Sequence, residues 1–123
     1  MTPRQQTYAL YVGIDIAAAT ASVALMEPHQ AVDEVFTIEQ TEQGITGLIA
    51  KLVTLGPSVD QIRGVMEATG TYWMRLASRL YQVGFAVSVV NPAQAYYYAK
   101  ARLQRAKSDE LDAQTLVHLA YQM

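Results

Sequence analysis

The spacing of apolar residues changes along this chain, and the order of those changes restricts the folds open to it. Three short apolar and β-branched runs come first, at 8–16, 20–26 and 32–39, and predict three strands. Helical spacing over 45–53 and 71–83 then alternates with strand-like runs at 62–67 and 85–90. Two more helices are predicted, from Asn91-Pro92 to about 106 and from about 108 onward.

This order of elements predicts an α/β protein with one five-stranded mixed sheet. The first three strands form an antiparallel meander, because short connections favour antiparallel neighbours. The fourth and fifth strands follow helices, so we expect them to run parallel to the first strand. With no repeat, linker or low-complexity tract in its 123 residues, the chain is expected to be a single domain over 1–123.

Composition excludes several classes of protein. With 51% hydrophobic residues and a net charge of −2, the chain is not disordered, and without cysteine it has neither a disulfide framework nor a zinc–thiolate site. No secretory signal is visible, and Asp15 interrupts the apolar stretch at 8–26 that would otherwise resemble a membrane span. We therefore expect a soluble cytoplasmic protein with no membrane partner.

Charged residues are unevenly distributed along the chain. Residues 1–67 hold eight acids and three bases, whereas residues 68–108 hold six bases and no acid. Such a segment is either a solvated face or a surface for an anionic partner such as nucleic acid. Within it, apolar residues at 96, 99, 103 and 106 mark the buried side of one helix and leave four bases as candidate nucleic-acid contacts: Lys100, Arg102, Arg105 and Lys107.

Two carboxylates end predicted strands. Asp15 lies near the end of the first strand, and Glu67 ends the fourth. Ligand sites in open α/β sheets lie beyond the carboxyl ends of the strands, so both residues are candidates for a site. The alternatives are that Asp15 pairs with a turn backbone and that Glu67 caps the following helix.

The last predicted helix carries two more candidate carboxylates. Asp109, Asp112, Leu116, Leu119 and Met123 are spaced to share one helix face, so the acids stand where a structural helix would have leucine. Acids in a first helical turn, with Ser108 as N-cap, also complement the helix dipole. That explanation accounts for Glu110 equally well, but not for two acids that continue an apolar stripe.

Four converging carboxylates without basic neighbours repel one another unless cations neutralise them. Carboxylate oxygens are hard ligands and favour Mg²⁺ or Mn²⁺. Two such ions clamp the attacking and leaving oxygens in phosphodiester chemistry. The sequence thus favours metal-dependent chemistry on nucleic acid.

Four motifs in order resemble one family. They are YVGID at 11–15, MEATGTYW at 66–73, VNP at 90–92 and AKSDELDA at 106–113. The chain from about residue 8 onward resembles the N-terminal domain of DEDD-type insertion-sequence transposases, the bridge-RNA-guided relatives of the pilin-gene invertase. The resemblance implies an RNase H-like (RuvC-like) fold with helices on both faces of the sheet.

The resemblance also implies an activity and its residues. It implies DNA strand cleavage and exchange, with Mg²⁺ or Mn²⁺ bound by a catalytic tetrad: Asp15, Glu67, Asp109 and Asp112. DNA is the implied partner, with a guide RNA and homo-oligomers in the full-length context. Family members continue into a coiled coil and a second domain that supplies a catalytic serine, which these 123 residues lack, so we expect a fragment or a truncated relative.

Two other functions remain as alternatives. Gly13-Ile14-Asp15 followed by 17–24 resembles the first phosphate loop of actin-like and sugar-kinase ATPases, but those proteins need a second lobe and give Asp109 and Asp112 no role. The other alternative is a non-catalytic module for nucleic-acid binding or dimerisation. Metal-dependent nicking of branched DNA distinguishes that module from a nuclease.

Overall fold

The computed structural model of the protein describes residues 8–68, 70–91, 93 and 112–122. Within these residues the chain forms five strands and three α-helices, with a short 3-10 helix at Val59–Gln61. The strands are β1 (Leu10–Ile16), β2 (Thr20–Met26), β3 (Val32–Glu39), β4 (Ile62–Glu67) and β5 (Ala86–Val90). The helices are α1 (Glu42–Thr54), α2 (Trp73–Val83) and α3 (Ala113–Gln122).

The five strands form one mixed sheet in the order β3-β2-β1-β4-β5. Strand β2 runs antiparallel to both β1 and β3, whereas β4 is parallel to β1 and β5 is parallel to β4. The predicted topology is therefore confirmed. Because β1 lies at the centre and β4 lies beside it, the carboxyl ends of the two strands that carry Asp15 and Glu67 are neighbours.

Helices α1 and α2 cover one face of the sheet. Alternate residues of β1, among them Val12 and Ile14, pack there against Leu48 of α1 and Leu80 of α2, and all four are almost fully buried. Helix α2 ends at Val83, the predicted end of its helical spacing, because Gly84 caps it in a left-handed conformation with φ of 114°. This face carries the larger of the two hydrophobic clusters.

Helix α3 covers the opposite face. Its Leu116 and Val117 are fully buried against Tyr11 of β1 and Val65 of β4, and Val90 of β5 joins the same cluster. Helices thus lie on both faces of the sheet, as predicted. No helix in the described residues is long and apolar enough to cross a membrane.

Some details differ from the sequence-based expectation. Strand β1 begins at Leu10 rather than at residue 8. Tyr81 and Val53, both placed on buried helix stripes by their spacing, are 74% and 48% exposed, because each lies at the margin of a helix face that the sheet does not reach. The helix predicted from Pro92 to about 106 falls almost entirely outside the described residues.

Candidate functional site

Asp15 and Glu67 lie side by side at the carboxyl ends of β1 and β4. Ile14 of β1 pairs with Met66 of β4 in the parallel ladder, and each carboxylate follows that pair by one residue. Since side chains alternate between the faces of a strand, Asp15 and Glu67 project from the face opposite to Ile14 and Met66. That face is the one covered by α3, and both carboxylates are partly buried.

Helix α3 brings its N-terminus to the same end of the sheet. Its first residue, Ala113, lies against Gly13, two residues before Asp15, whereas Tyr121 near its last turn contacts Tyr11 with ring centroids 5.1 Å apart. The helix therefore runs antiparallel to β1. Asp112, which directly precedes the helix, is thereby placed over the carboxyl end of β1 and on the face that bears Asp15.

Asp112 is the N-cap residue of α3, not part of its first turn. The backbone N–H of Thr115 donates to Oδ1 of Asp112 at 2.8 Å, and the helix begins at Ala113. The expectation that Asp112 continues the buried stripe inside a helix was wrong, because an N-cap residue lies half outside the helix and Asp112 is exposed. The alternative of a first-turn acid that complements the helix dipole also differs from the structure, because Asp112 is the cap itself. The location of Asp112 at this end of the sheet agrees with the site.

The other predicted site residues lie outside the described residues. These are the fourth carboxylate and the four bases: Asp109, Lys100, Arg102, Arg105 and Lys107. In the part of the chain that the structure describes, no group of three or more His, Asp or Glu side chains is arranged to hold a metal ion. The geometry thus brings two carboxylates together on neighbouring strands and a third to the same end.

Sequence analysis missed one residue at this end of the sheet, Gln40, which joins β3 to α1. Its side-chain Nε2 donates to the carbonyl oxygen of Ala17 at 2.8 Å and to that of Tyr72 at 3.2 Å. Its backbone N–H donates to the carbonyl oxygen of Ala19 at 2.9 Å. Arg75 of α2 donates in turn to the carbonyl oxygen of Gln40. One glutamine before a helix gives no sequence signal for such contacts.

An open cavity of about 180 Å³ lies beside Gln40. It is lined by Ala18, Gln40, Thr71, Tyr72 and Arg75. Its walls come from the connection that follows β1 and the connection that follows β4, so it opens at the same end of the sheet as the carboxylates.

The sequence of this chain is similar to that of known proteins. The model of the DEDD_Tnp_IS110 family, described as a transposase, matches residues 12–123. The pilin gene-inverting protein of Moraxella bovis is 34% identical over 103 residues, which are 84% of this chain and 31% of that protein. The protein of the same name from Moraxella lacunata is 33% identical over the same shares. The chain thus spans about a third of the length of these relatives.

A solved structure supports the fold. The chain resembles the fowlpox virus resolvase, in a crystal structure of its complex with substrate Holliday junction DNA, with a TM-score of 0.51 and 12% sequence identity. The match covers 92% of this chain and 94% of the resolvase chain. At that identity the likeness concerns the fold alone, and it agrees with the RNase H-like fold that the family resemblance implies.

Proposed function

This chain belongs to the DEDD_Tnp_IS110 family of transposases, and we propose that it forms the metal-dependent part of a DNA recombinase that cuts and exchanges strands. The observation that carries the proposal is the position of Asp15 and Glu67, one residue beyond the Ile14–Met66 pair on neighbouring parallel strands. Both are partly buried carboxylates on one sheet face, at the strand ends where α/β proteins place their sites, and both offer oxygen ligands to a cation.

The donor set fits a hard divalent cation. Asp15 and Glu67 offer carboxylate oxygens from one sheet face, and the carboxylate of Asp112 lies at the N-terminus of α3 above the same strand end. The described carboxylates do not make a three-ligand group by themselves, and Asp109 would supply a further ligand. Oxygen ligands of this kind select Mg²⁺ or Mn²⁺.

The protein's own residues would hold and orient the phosphodiester. A bound cation supplies charge neutralisation at the attacking and leaving oxygens. The carboxylates fix where that neutralisation occurs, and the bases between residues 100 and 107 would hold the DNA backbone. The names of the relatives, which invert a pilin gene, and of a resolvase bound to junction DNA support DNA as the substrate.

The full-length context adds partners to this proposal. The relatives are about three times as long as the matched segment, so complete recombination is assigned to the longer protein. From the family resemblance we infer a guide RNA and homo-oligomers for that protein, and a cytoplasmic location where the DNA is accessible. These assignments rest on the resemblance, and the metal site rests on the carboxylate geometry.

Calorimetric titration of the chain with Mn²⁺ tests the proposal. The wild-type protein and an Asp33→Asn variant, which changes an exposed acid on β3, should bind Mn²⁺, whereas Asp15→Asn should bind at least about tenfold more weakly. Equal binding by all three proteins would exclude the assigned site. Metal-dependent nicking of branched DNA by the wild-type chain, absent in Asp15→Asn, would separate a nuclease from a non-catalytic binding module.

A further inference from the structure

We propose that Gln40 is a positioning residue for the carboxylate pair, because its side chain ties together the two connections that leave β1 and β4. The inference rests on the proposed function, since it concerns the relative position of Asp15 and Glu67 as metal ligands. Gln40 itself lies on neither strand. It acts through the backbone that follows each of them.

The ladder between β1 and β4 ends just before the carboxylates. Ile14 and Met66 form its last pair, so Asp15 and Glu67 lie one residue beyond the paired positions. Each residue also pairs with the strand on its other side: Asp15 lies opposite Ser22 of β2, and Glu67 lies opposite Val90 of β5. Contacts between the segments beyond the last pair therefore add to the ladder in fixing the separation of the two carboxylates.

Gln40 supplies such a connection. Ala17, whose carbonyl accepts from Nε2 at 2.8 Å, is two residues beyond Asp15 in the β1–β2 hairpin. Tyr72, whose carbonyl accepts from the same nitrogen at 3.2 Å, is in the connection between Glu67 and α2. One amide nitrogen thus bridges the segments that follow the two carboxylates.

The bridge depends on the two N–H donors of the glutamine amide. Both acceptors are carbonyl oxygens, so the side chain must present two N–H donors without a charge, which the primary amide of glutamine does. A glutamate of the same shape has no donor when ionised and would place its charge against two carbonyl oxygens. A methionine of similar length is uncharged and also has no donor.

The backbone of Gln40 is itself held by hydrogen bonds, so the position from which its side chain extends is fixed. Its N–H donates to Ala19 at 2.9 Å, and its carbonyl accepts from the guanidinium of Arg75 in the first turn of α2. Gln40 therefore contacts the β1–β2 hairpin and the start of α2 through main chain and side chain alike. Loss of the side-chain donors would leave these anchors and free only the bridge.

Metal affinity measured in the folded state separates positioning from general stability. The test uses Gln40→Glu, Gln40→Met and a matched control, Gln43→Glu, which adds the same charge three residues along at an exposed position of α1. Thermal melts in chelator identify a temperature at which all four proteins are folded. Mn²⁺ dissociation constants are then measured by calorimetry at that temperature.

Both Gln40 variants should raise the Mn²⁺ dissociation constant by about tenfold or more, the usual cost of losing a group that orients a ligand. Gln43→Glu should leave it unchanged. Backbone amide exchange should become faster at 17–20 and 70–73 in both Gln40 variants, and not in the control. Wild-type binding with unchanged constants in both Gln40 variants would overturn the positioning role alone, whereas absence of wild-type binding would overturn the proposed function as well.

Discussion

The backbone of Ala113 lies so close to Gly13 that strand β1 has no room for a side chain there. A Cβ placed on Gly13 would be 2.3 Å from the carbonyl oxygen of Ala113 and 2.2 Å from the backbone nitrogen of Val117. Real Cβ atoms do not approach backbone atoms this closely, so the distance between α3 and the sheet depends on a glycine at this position. The same contact sets the distance between Asp112, which directly precedes α3, and the end of β1.

Replacing Gly13 with alanine should therefore destabilise the protein and weaken its metal site together. The added methyl meets backbone atoms that cannot rotate away, so α3 must move, at a cost of about 1–3 kcal/mol in the free energy of unfolding. That movement would carry Asp112 away from Asp15. Urea denaturation measures the first effect, and Mn²⁺ titration measures the second.

Gly64→Ala is the matched control for this prediction. Gly64 lies on the neighbouring strand β4 and faces the other side of the sheet, where the nearest atom to an added Cβ is the Val12 carbonyl oxygen at 4.0 Å. We expect unchanged or slightly higher stability, since alanine also restricts the unfolded chain. Equal destabilisation by both substitutions would mean that the Gly13–Ala113 contact has no special role.

Asp112 combines a helix cap with an assigned metal ligand, and two substitutions separate these roles. Asparagine keeps an oxygen for the Thr115 N–H and is as good an N-cap as aspartate, so Asp112→Asn should retain stability without metal within about 0.5 kcal/mol. Asp112→Ala should lose about 0.5–2 kcal/mol through the missing cap. Both should lose metal affinity, because both remove the charge.

Thermal melts with and without Mg²⁺ check this prediction. Metal should raise the melting temperature of the wild-type protein by mass action and should raise that of either variant much less. If Asp112→Asn responds to Mg²⁺ as strongly as the wild-type protein does, Asp112 is a cap only.

The basic segment leads to a prediction about salt. If Arg102 and Arg105 contact phosphates, reversing both charges (Arg102→Glu with Arg105→Glu) should weaken DNA binding. It should also reduce the slope of log affinity against log salt by about two. Fluorescence anisotropy at several salt concentrations measures both quantities. An unchanged slope would mean that these residues form a solvated face.

Local patterns in the sequence were enough to predict most of the fold. Strands β2, β3 and β4 have the predicted bounds, because alternating and apolar runs bounded by turn residues report directly on a pleated, partly buried strand. The parallel pairing of β1 and β4 followed from the intervening helix. With it came the expectation that Asp15 and Glu67 share one end of the sheet, which the register bears out.

Other features depend on contacts between distant segments, which no local pattern encodes. The contacts of Gln40 join residues 23 and 32 positions away in the sequence. The start of α3 was also misjudged, because an aspartate before a helix reads equally well as a cap or as a first-turn residue. The tight packing of α3 on Gly13 is a property of the assembled sheet.

Paramagnetic broadening by Mn²⁺ in an NMR spectrum tests the central claim most directly. With Mn²⁺ below stoichiometric amounts, the amide signals of Asp15, Glu67 and Ala113 should broaden first, while that of His29, in the turn that follows β2 beside Tyr121, should stay sharp. The Asp15→Asn protein should show no such pattern. Broadening centred on the exposed acids of β3 and α1, or equal in the wild-type and Asp15→Asn proteins, would contradict a metal site at the ends of β1 and β4.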